Sequence, residues 1–284
     1  DPAVVCVDDS GNFAVSLLSG HLGGADQLAQ EISSLIGSIP VITSASYIGR
    51  TIAVDLLGQE FGWTIESLTS TVTKASADVV NGEPVAIYQQ AGEPTWWPDH
   101  KSLPNNITKC VTLDSVKDAS GDTALIISDE MELIRYRTQP IEQIVLKPNI
   151  VLYRPRSLVI GMGCRKGVGF EDLQQLLLSS LRDLNLSPNS IRTIATATIK
   201  STEPGLVELS HYYNANITTY NVEQLNSVFQ SGKYQVSPSV APQRLLGVGG
   251  VSEPSALLAS GNTQLLMHKR KTDRATIAIA RMVF

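Results

Sequence analysis

"LVIGMGCRKGVGFEDL", Leu158 to Leu173, runs from an apolar, β-branched segment through a glycine-rich turn into a polar one. "SLVIGMG" reads as a buried strand. After the turn, Leu173, Leu176, Leu177 and Leu181 fall at i, i+3, i+4 and i+8, one helical stripe. A strand that passes straight into a helix is half of an α/β unit. The residues that follow repeat the alternation. "IRTIATA" reads as a strand and "GLVELSHYY" as a helix, "NITTYN" as a strand and "VEQLNSVF" as a helix, then "PSALLAS" as a short helix. "TQLLMHKR" and "RATIAIARMV" form a closing hairpin that turns at Thr272 and Asp273. The C-terminal part, 156–284, is therefore a layered α/β domain.

The N-terminal part, 1–68, has the same grammar. "AVVCV" and "FAVSLL" are strands joined as a hairpin by "DDSGN". Leu28, Ile32, Leu35 and Ile36 make an apolar helical stripe, and Gly37 suits the helix end. "IPVIT" is the next strand, and Ile52, Ala53, Leu56 and Leu57 mark a further helix. Between them, 69–155 reads as a smaller α+β middle domain. "STVTKASADVV" is its helix; "PVAIYQQ", "KCVTL", "TALIIS" and "NIVLY" are its strands. "AGEPTWWPDHKSLPNN" is a proline-broken loop, and "RPRS", Arg154 to Ser157, joins the last domain. At roughly 150 residues per domain, 284 residues fit two domains or three small ones.

Composition narrows the function classes. Hydrophobic residues make up 43% and charged ones 17%, a globular balance rather than a disordered one. A net charge of -5 offers nothing to a nucleic-acid backbone. No apolar run reaches the ~20 residues of a membrane span, and no signal peptide is visible. Cys6, Cys110 and Cys164 are odd in number and far apart, so a disulfide framework and a structural zinc site are not expected. A reducing, cytoplasmic setting is expected instead. The chain starts at Asp1 and enters a strand at once, which suggests residues upstream.

Three glycine-rich turns precede helices. In "SGHLGG", Ser19, Gly20, Gly23 and Gly24 surround His21. Open α/β sheets hold ligands beyond the carboxyl ends of their strands, and helix N-termini attract anions. His21 then serves as donor or base, or it merely caps a turn that needs glycine. In "GMGCRKG", Gly161, Gly163 and Gly167 surround Cys164, Arg165 and Lys166. Arginine forks onto carboxylates and lysine adds a point charge. Cys164 is a thiolate nucleophile between those cations or a small turn residue. In "GVGGVSEPSAL", Gly247, Gly249 and Gly250 allow close backbone approach. Glu203 and Glu253 each stand in a Glu-Pro step that opens a helix, where an acidic residue suits the dipole; Lys200 lies three residues before Glu203. None of this is a GxGxxG or P-loop pattern, which counts against a nucleotide. His100 lies in a loop and His211 ends a helix. Neither has ligand-like spacing to the other or to His268, so no protein metal site is expected.

In order and spacing, "LLSGHLGGADQLA", "PVITSAS", "VIGMGCRKGVGFEDL", "IKSTEPGL" and "GVGGVSEPSALLAS" resemble the cobalt-precorrin-5A hydrolase family, the G protein of anaerobic cobalamin biosynthesis. The resemblance covers essentially the whole chain. It departs at Asp26, where asparagine is usual, at Tyr47, Thr198 and Thr202, where acidic groups are frequent, and at Ser252, where cysteine is.

The resemblance implies an enzyme that opens the ring A δ-lactone of cobalt-precorrin-5A with water and releases acetaldehyde, giving cobalt-precorrin-5B. That chemistry needs a base, an oxyanion donor and groups that hold a polycarboxylate tetrapyrrole. His21 and Glu203 are the expected catalytic groups. Ser19, Gly20, Gly23, Gly24, Gly161, Gly163, Cys164, Arg165, Lys166, Lys200, Gly247, Gly249, Gly250 and Glu253 are expected around the substrate. Cobalt arrives within the substrate, so no protein-bound cofactor is implied. Other cobalamin-pathway enzymes, including a fused methyltransferase, are the implied partners, with no nucleic acid and no membrane. The alternative is a non-catalytic tetrapyrrole carrier.

Overall fold

A computed structural model describes residues 2–20, 23–43, 51–98, 101–133, 147–234, 236 and 247–284. The chain divides into two compact units. One comprises Asp1–Gln89, Pro94–Ile127 and Pro140–Tyr153; the other comprises Gln90–Glu93, Ser128–Gln139 and Arg154–Phe284. The fold class is multi-domain α/β, and the described residues form three sheets.

The first unit begins with a three-stranded sheet. Strand β1 (Val4–Val7) pairs antiparallel with β2 (Phe13–Leu18), and β2 pairs parallel with β3 (Ile39–Val41) through helix α1 (Ala25–Ile36). Gly37 takes φ 73° and returns its N–H to the Ser33 carbonyl, ending α1 as expected. The helix faces inward differently from its apolar stripe. It buries Ala25, Ala29 and Ser33, while Leu35 is 85% exposed and Leu28 and Ile36 are exposed too. Small residues let α1 lie close to Ala14 and Ser16 of β2, both buried. Periodicity located the helix, but side-chain volume chose its buried face.

The middle sheet has the order β4-β8-β7-β5-β6, from β4 (Thr64–Ile65), β5 (Val85–Gln89), β6 (Ile107–Cys110), β7 (Thr123–Ile127) and β8 (Asn149–Arg154). Helix α2 (Thr69–Val80) precedes β5 and α3 (Leu113–Asp118) precedes β7. Strands β5 to β8 pair in parallel, so the module expected as α+β is itself built like an α/β layer. Two local expectations shift. "KCVTL" ends as a strand at Cys110, because Thr112 accepts the Ser115 N–H and caps α3. Residues 52–57 are irregular and then form turns, not an α-helix, and still bury Ile52, Val54 and Leu57. Those side chains join Trp63, Ile87, Leu125, Val151 and Tyr153 in one core. Trp96 from the proline-broken loop also enters it and donates its indole N–H to Gln89 Oε1 at 2.8 Å.

The second unit holds a sheet of order β11-β10-β9-β13-β12, from β9 (Leu158–Cys164), β10 (Ile191–Ala197), β11 (Asn216–Tyr220), β12 (Met267–Lys271) and β13 (Ala275–Arg281). Strands β9, β10 and β11 run parallel, while β13 runs antiparallel to β9 with Ala275 opposite Cys164. Helices α4 (Phe170–Asp183) and α5 (Pro204–Tyr212) pack on one face; α6 (Val222–Gln230) and α7 (Ser252–Ser260) serve the other. The α4 stripe behaves as read: Leu173, Leu176, Leu177 and Leu181 are buried against Ile160, Ile194 and Ile277. Each such leucine contributes about 1.5–3 kcal/mol on leaving water. The opposite face is lined by small residues, Gly161, Ala278 and Ala280, so α7 comes close.

Candidate active site

Because β9 and β10 are parallel, the segments that leave their carboxyl ends emerge at one end of the sheet. After β9, Arg165, Lys166 and Gly167 are exposed, and Gly167 takes φ 74°. After β10, a 3₁₀ turn over Thr198–Lys200 leads to Glu203 and α5. Glu203 ties the two together. Its Oε2 accepts the Gly167 N–H at 2.9 Å, and its Oε1 pairs with Lys200 Nζ at 2.8 Å. Gly205 completes the junction: a Cβ there would lie 2.4 Å from the Val168 carbonyl, so the first turn of α5 rests on that loop.

The electrostatics follow from these contacts. The Lys200 hydrogen bond, then the Gly167 N–H, hold the Glu203 carboxyl below its ordinary 4.5. Glu203 stands at the helix-opening position, yet its side chain makes no cap bond there. It is an ionised anchor of the loop with both oxygens engaged, a poor arrangement for a base. Burial pushes the Cys164 thiol up to about 11, with Lys200 opposing and Glu203 reinforcing. A thiol held up in this way counts against the nucleophile alternative. Lys200 is neutralised by Glu203, which leaves Arg165 and Lys166 as the exposed cations of this loop.

Gly161 and Gly163 serve packing. A Cβ on Gly161 would lie 1.9 Å from the Ser252 carbonyl, and one on Gly163 would lie 2.8 Å from Thr276 Oγ1. The space expected for a substrate beside them is taken by α7 and β13. Ser252 itself is buried at the start of α7. The "GVGG" turn is held by Asn226 of α6, which donates to the Gly247 carbonyl at 2.8 Å and accepts the Gly249 N–H at 3.1 Å. Glu253 turns toward β12, where its Oε1 accepts the Lys269 N–H at 3.2 Å and lies 3.1 Å from His268 Nδ1.

In the first unit, the N-terminal loop turns back on itself. The Ala25 N–H reaches the Ser19 carbonyl at 3.0 Å and the Asp26 N–H reaches Gly20 at 3.1 Å. Ser19 takes φ 58°; Gly24 takes φ 80° at the start of α1, and Gly23 is half-buried beside it. A Cβ on Gly20 would lie 2.8 Å from Asp26 Oδ1, so glycine is what lets Asp26 approach. His21 and Tyr47 lie outside the described residues. The sequence does not single out Asn226 or the pair of buried Asp129 with half-buried Arg281, and marks His268 only as lacking ligand-like spacing. Their partners stand 15 to 152 residues away, and no short spacing marks them.

Residues 1–46 match the family model "Cobalamin synthesis G N-terminal", 52–148 match "Cobalamin biosynthesis central region" and 158–280 match "Cobalamin synthesis G C-terminus". The chain is 37% identical to a "Cobalt-precorrin-5A hydrolase" of Priestia megaterium over 280 residues, 99% of this chain and 71% of that protein. The chain belongs to the cobalt-precorrin-5A hydrolase family. A Salmonella typhimurium member with the same name, strain LT2, is 29% identical over 98% of this chain and 74% of its own. Among solved structures, CobE, described as a protein from the cobalamin (vitamin B12) biosynthetic pathway, shares 32% identity. It covers 45% of this chain and 92% of its own, with a TM-score of 0.41. Among the described residues, no helix is long and apolar enough to cross a membrane.

Proposed function

We infer that this chain is a cobalt-precorrin-5A hydrolase of cobalamin biosynthesis. The observation that carries the inference is 37% identity to a hydrolase of that name across 99% of the chain. Water adds to the carbonyl carbon of the ring A δ-lactone, and the ring C–O bond breaks to a carboxylate and a hydroxyl. The hydroxyl then loses its proton and becomes the carbonyl of acetaldehyde as its C–C bond to the macrocycle breaks. The bonding pair stays on the macrocycle carbon, which takes a proton.

The substrate is a polycarboxylate, and the chain carries a net charge of -5, so binding depends on local cations and helix N-termini. Arg165 and Lys166 are exposed for that purpose, while Lys200 and Glu203 shape the loop that presents them. His21 is assigned to oxyanion stabilisation on its place in "LSGHLGG". Cobalt enters inside the substrate and is handled as part of it. The free thiols Cys6, Cys110 and Cys164 support a reducing, cytoplasmic compartment.

The deciding measurement is acetaldehyde release from cobalt-precorrin-5A by the purified chain. Release at catalytic turnover is expected, slowed about 10²-fold or more in His21→Ala. Tight binding with no acetaldehyde would mean a carrier instead.

A further inference from the structure

The edge strand β12 carries His268, whose ring is held by a buried carboxylate. Its Nδ1 lies 3.1 Å from Oε1 of Glu253, a buried residue in the first turn of α7. The same oxygen accepts the Lys269 N–H at 3.2 Å, so the backbone of β12 fixes where the carboxylate sits. That contact places the proton of the neutral imidazole on Nδ1 and leaves the lone pair on Nε2. His268 is open, its side chain 64% exposed, and it lines a cavity of about 290 Å³ with Lys233, Leu257, Thr263, Gln264 and Leu265. An imidazole oriented by a buried carboxylate and facing a hollow has the geometry of a base set for proton transfer.

We propose that His268, positioned by Glu253, is the general base that activates water in the lactone hydrolysis; this rests on the hydrolase reading above. The water oxygen bonds to the lactone carbonyl carbon while its proton passes to His268 Nε2, and the carbonyl pair moves onto oxygen. As that oxyanion collapses, the ring C–O bond breaks and the imidazolium returns the proton to the departing oxygen. His268 ends neutral, and one water has been added. Lys233 also lines the cavity, with its Nζ 5.5 Å from the centre of the Tyr234 ring. The volume lies just below the range of ligand pockets, about 300–1,000 Å³, and takes one edge of a macrocycle rather than all of it.

Single-turnover acetaldehyde release tests this with the full chain as wild type, His268→Ala, Glu253→Gln and, as a control, His211→Ala. His268→Ala is expected to slow release about 10²-fold or more while binding substrate within about 3-fold, and added imidazole is expected to restore part of the rate. His211→Ala is expected to match wild type. Glu253→Gln reports on positioning: the release rate is expected to fall about 10-fold or more while substrate affinity stays within about 3-fold of wild type. Glu253 is buried and its variant risks the fold; the open His268 does not, so His268→Ala alone decides. Release by His268→Ala within about 3-fold of wild type overturns the proposal and leaves the hydrolase reading standing. No release from wild type overturns both.

Discussion

Asp129 and Arg281 meet in a two-point contact across 152 residues of sequence, with Nε to Oδ2 at 2.8 Å and Nη2 to Oδ1 at 2.8 Å. Asp129 is fully buried, and Ser157 donates to it at 2.6 Å just before β9 begins. Its carbonyl also accepts the Ser187 N–H at 2.7 Å. Removing the carboxylate takes the partner from a half-buried guanidinium and a buried hydroxyl. Asp129→Ala should therefore cost about 3–5 kcal/mol in urea unfolding. Arg274→Ala breaks only an exposed pair with Asp172 and should cost under about 1 kcal/mol. Equal losses would refute the distinction.

The Glu203 tie should show itself in acid. Its folded pKa lies below the ordinary 4.5, so the unfolded chain binds the proton more readily. Stability from this group is complete above the unfolded value and is lost as pH falls through the folded one. The stability gap between wild type and Glu203→Gln should be constant near neutrality and close progressively below about pH 4.5. A gap that widens in acid would contradict the assignment.

Gly161 is a contact point between β9 and α7. Gly161→Ala forces a methyl to within 1.9 Å of the Ser252 carbonyl, backbone that cannot step aside. A loss of at least about 3 kcal/mol is expected, beyond any effect on catalysis. Gly167→Ala meets no neighbour and suffers only its φ of 74°, so it should lose about 1 kcal/mol. Thermal unfolding of the two variants compares them directly.

Cys164 should be slow to alkylate. Its thiol is pushed up to about 11 by burial, so little thiolate exists at pH 7. Exposed Cys6 should react with iodoacetamide first, and Cys164 only as pH climbs above about 10. Mass spectrometry after brief labelling resolves the order. Fast labelling of Cys164 at neutral pH would revive it as a nucleophile.

Much of the fold is legible along the chain because it depends on neighbours in sequence. The leucine stripe of α4, the closing hairpin and the strand–helix alternation are written in periodicities of two and 3.6. The α1 stripe misleads for a reason periodicity cannot carry: Ala25, Ala29 and Ser33 are small enough to meet β2, and the leucines are not. The site divides the same way. The turn around Gly167 and the helix start at Pro204 are visible locally, whereas the joining of Gly167 to Glu203 needs β9 and β10 side by side.

By itself, the sequence determined the α/β class, the order of most elements and the family, since each rests on residue types at short spacings. Only the tertiary structure decided what individual polar residues do. It turned Glu203 from a candidate base into a loop anchor, kept Cys164 a thiol, gave Gly161 to helix packing and set His268 against Glu253. The reason is physical. A side chain's charge state and partners depend on burial and on groups brought near by the fold, and those groups come from strands and helices far apart in the chain.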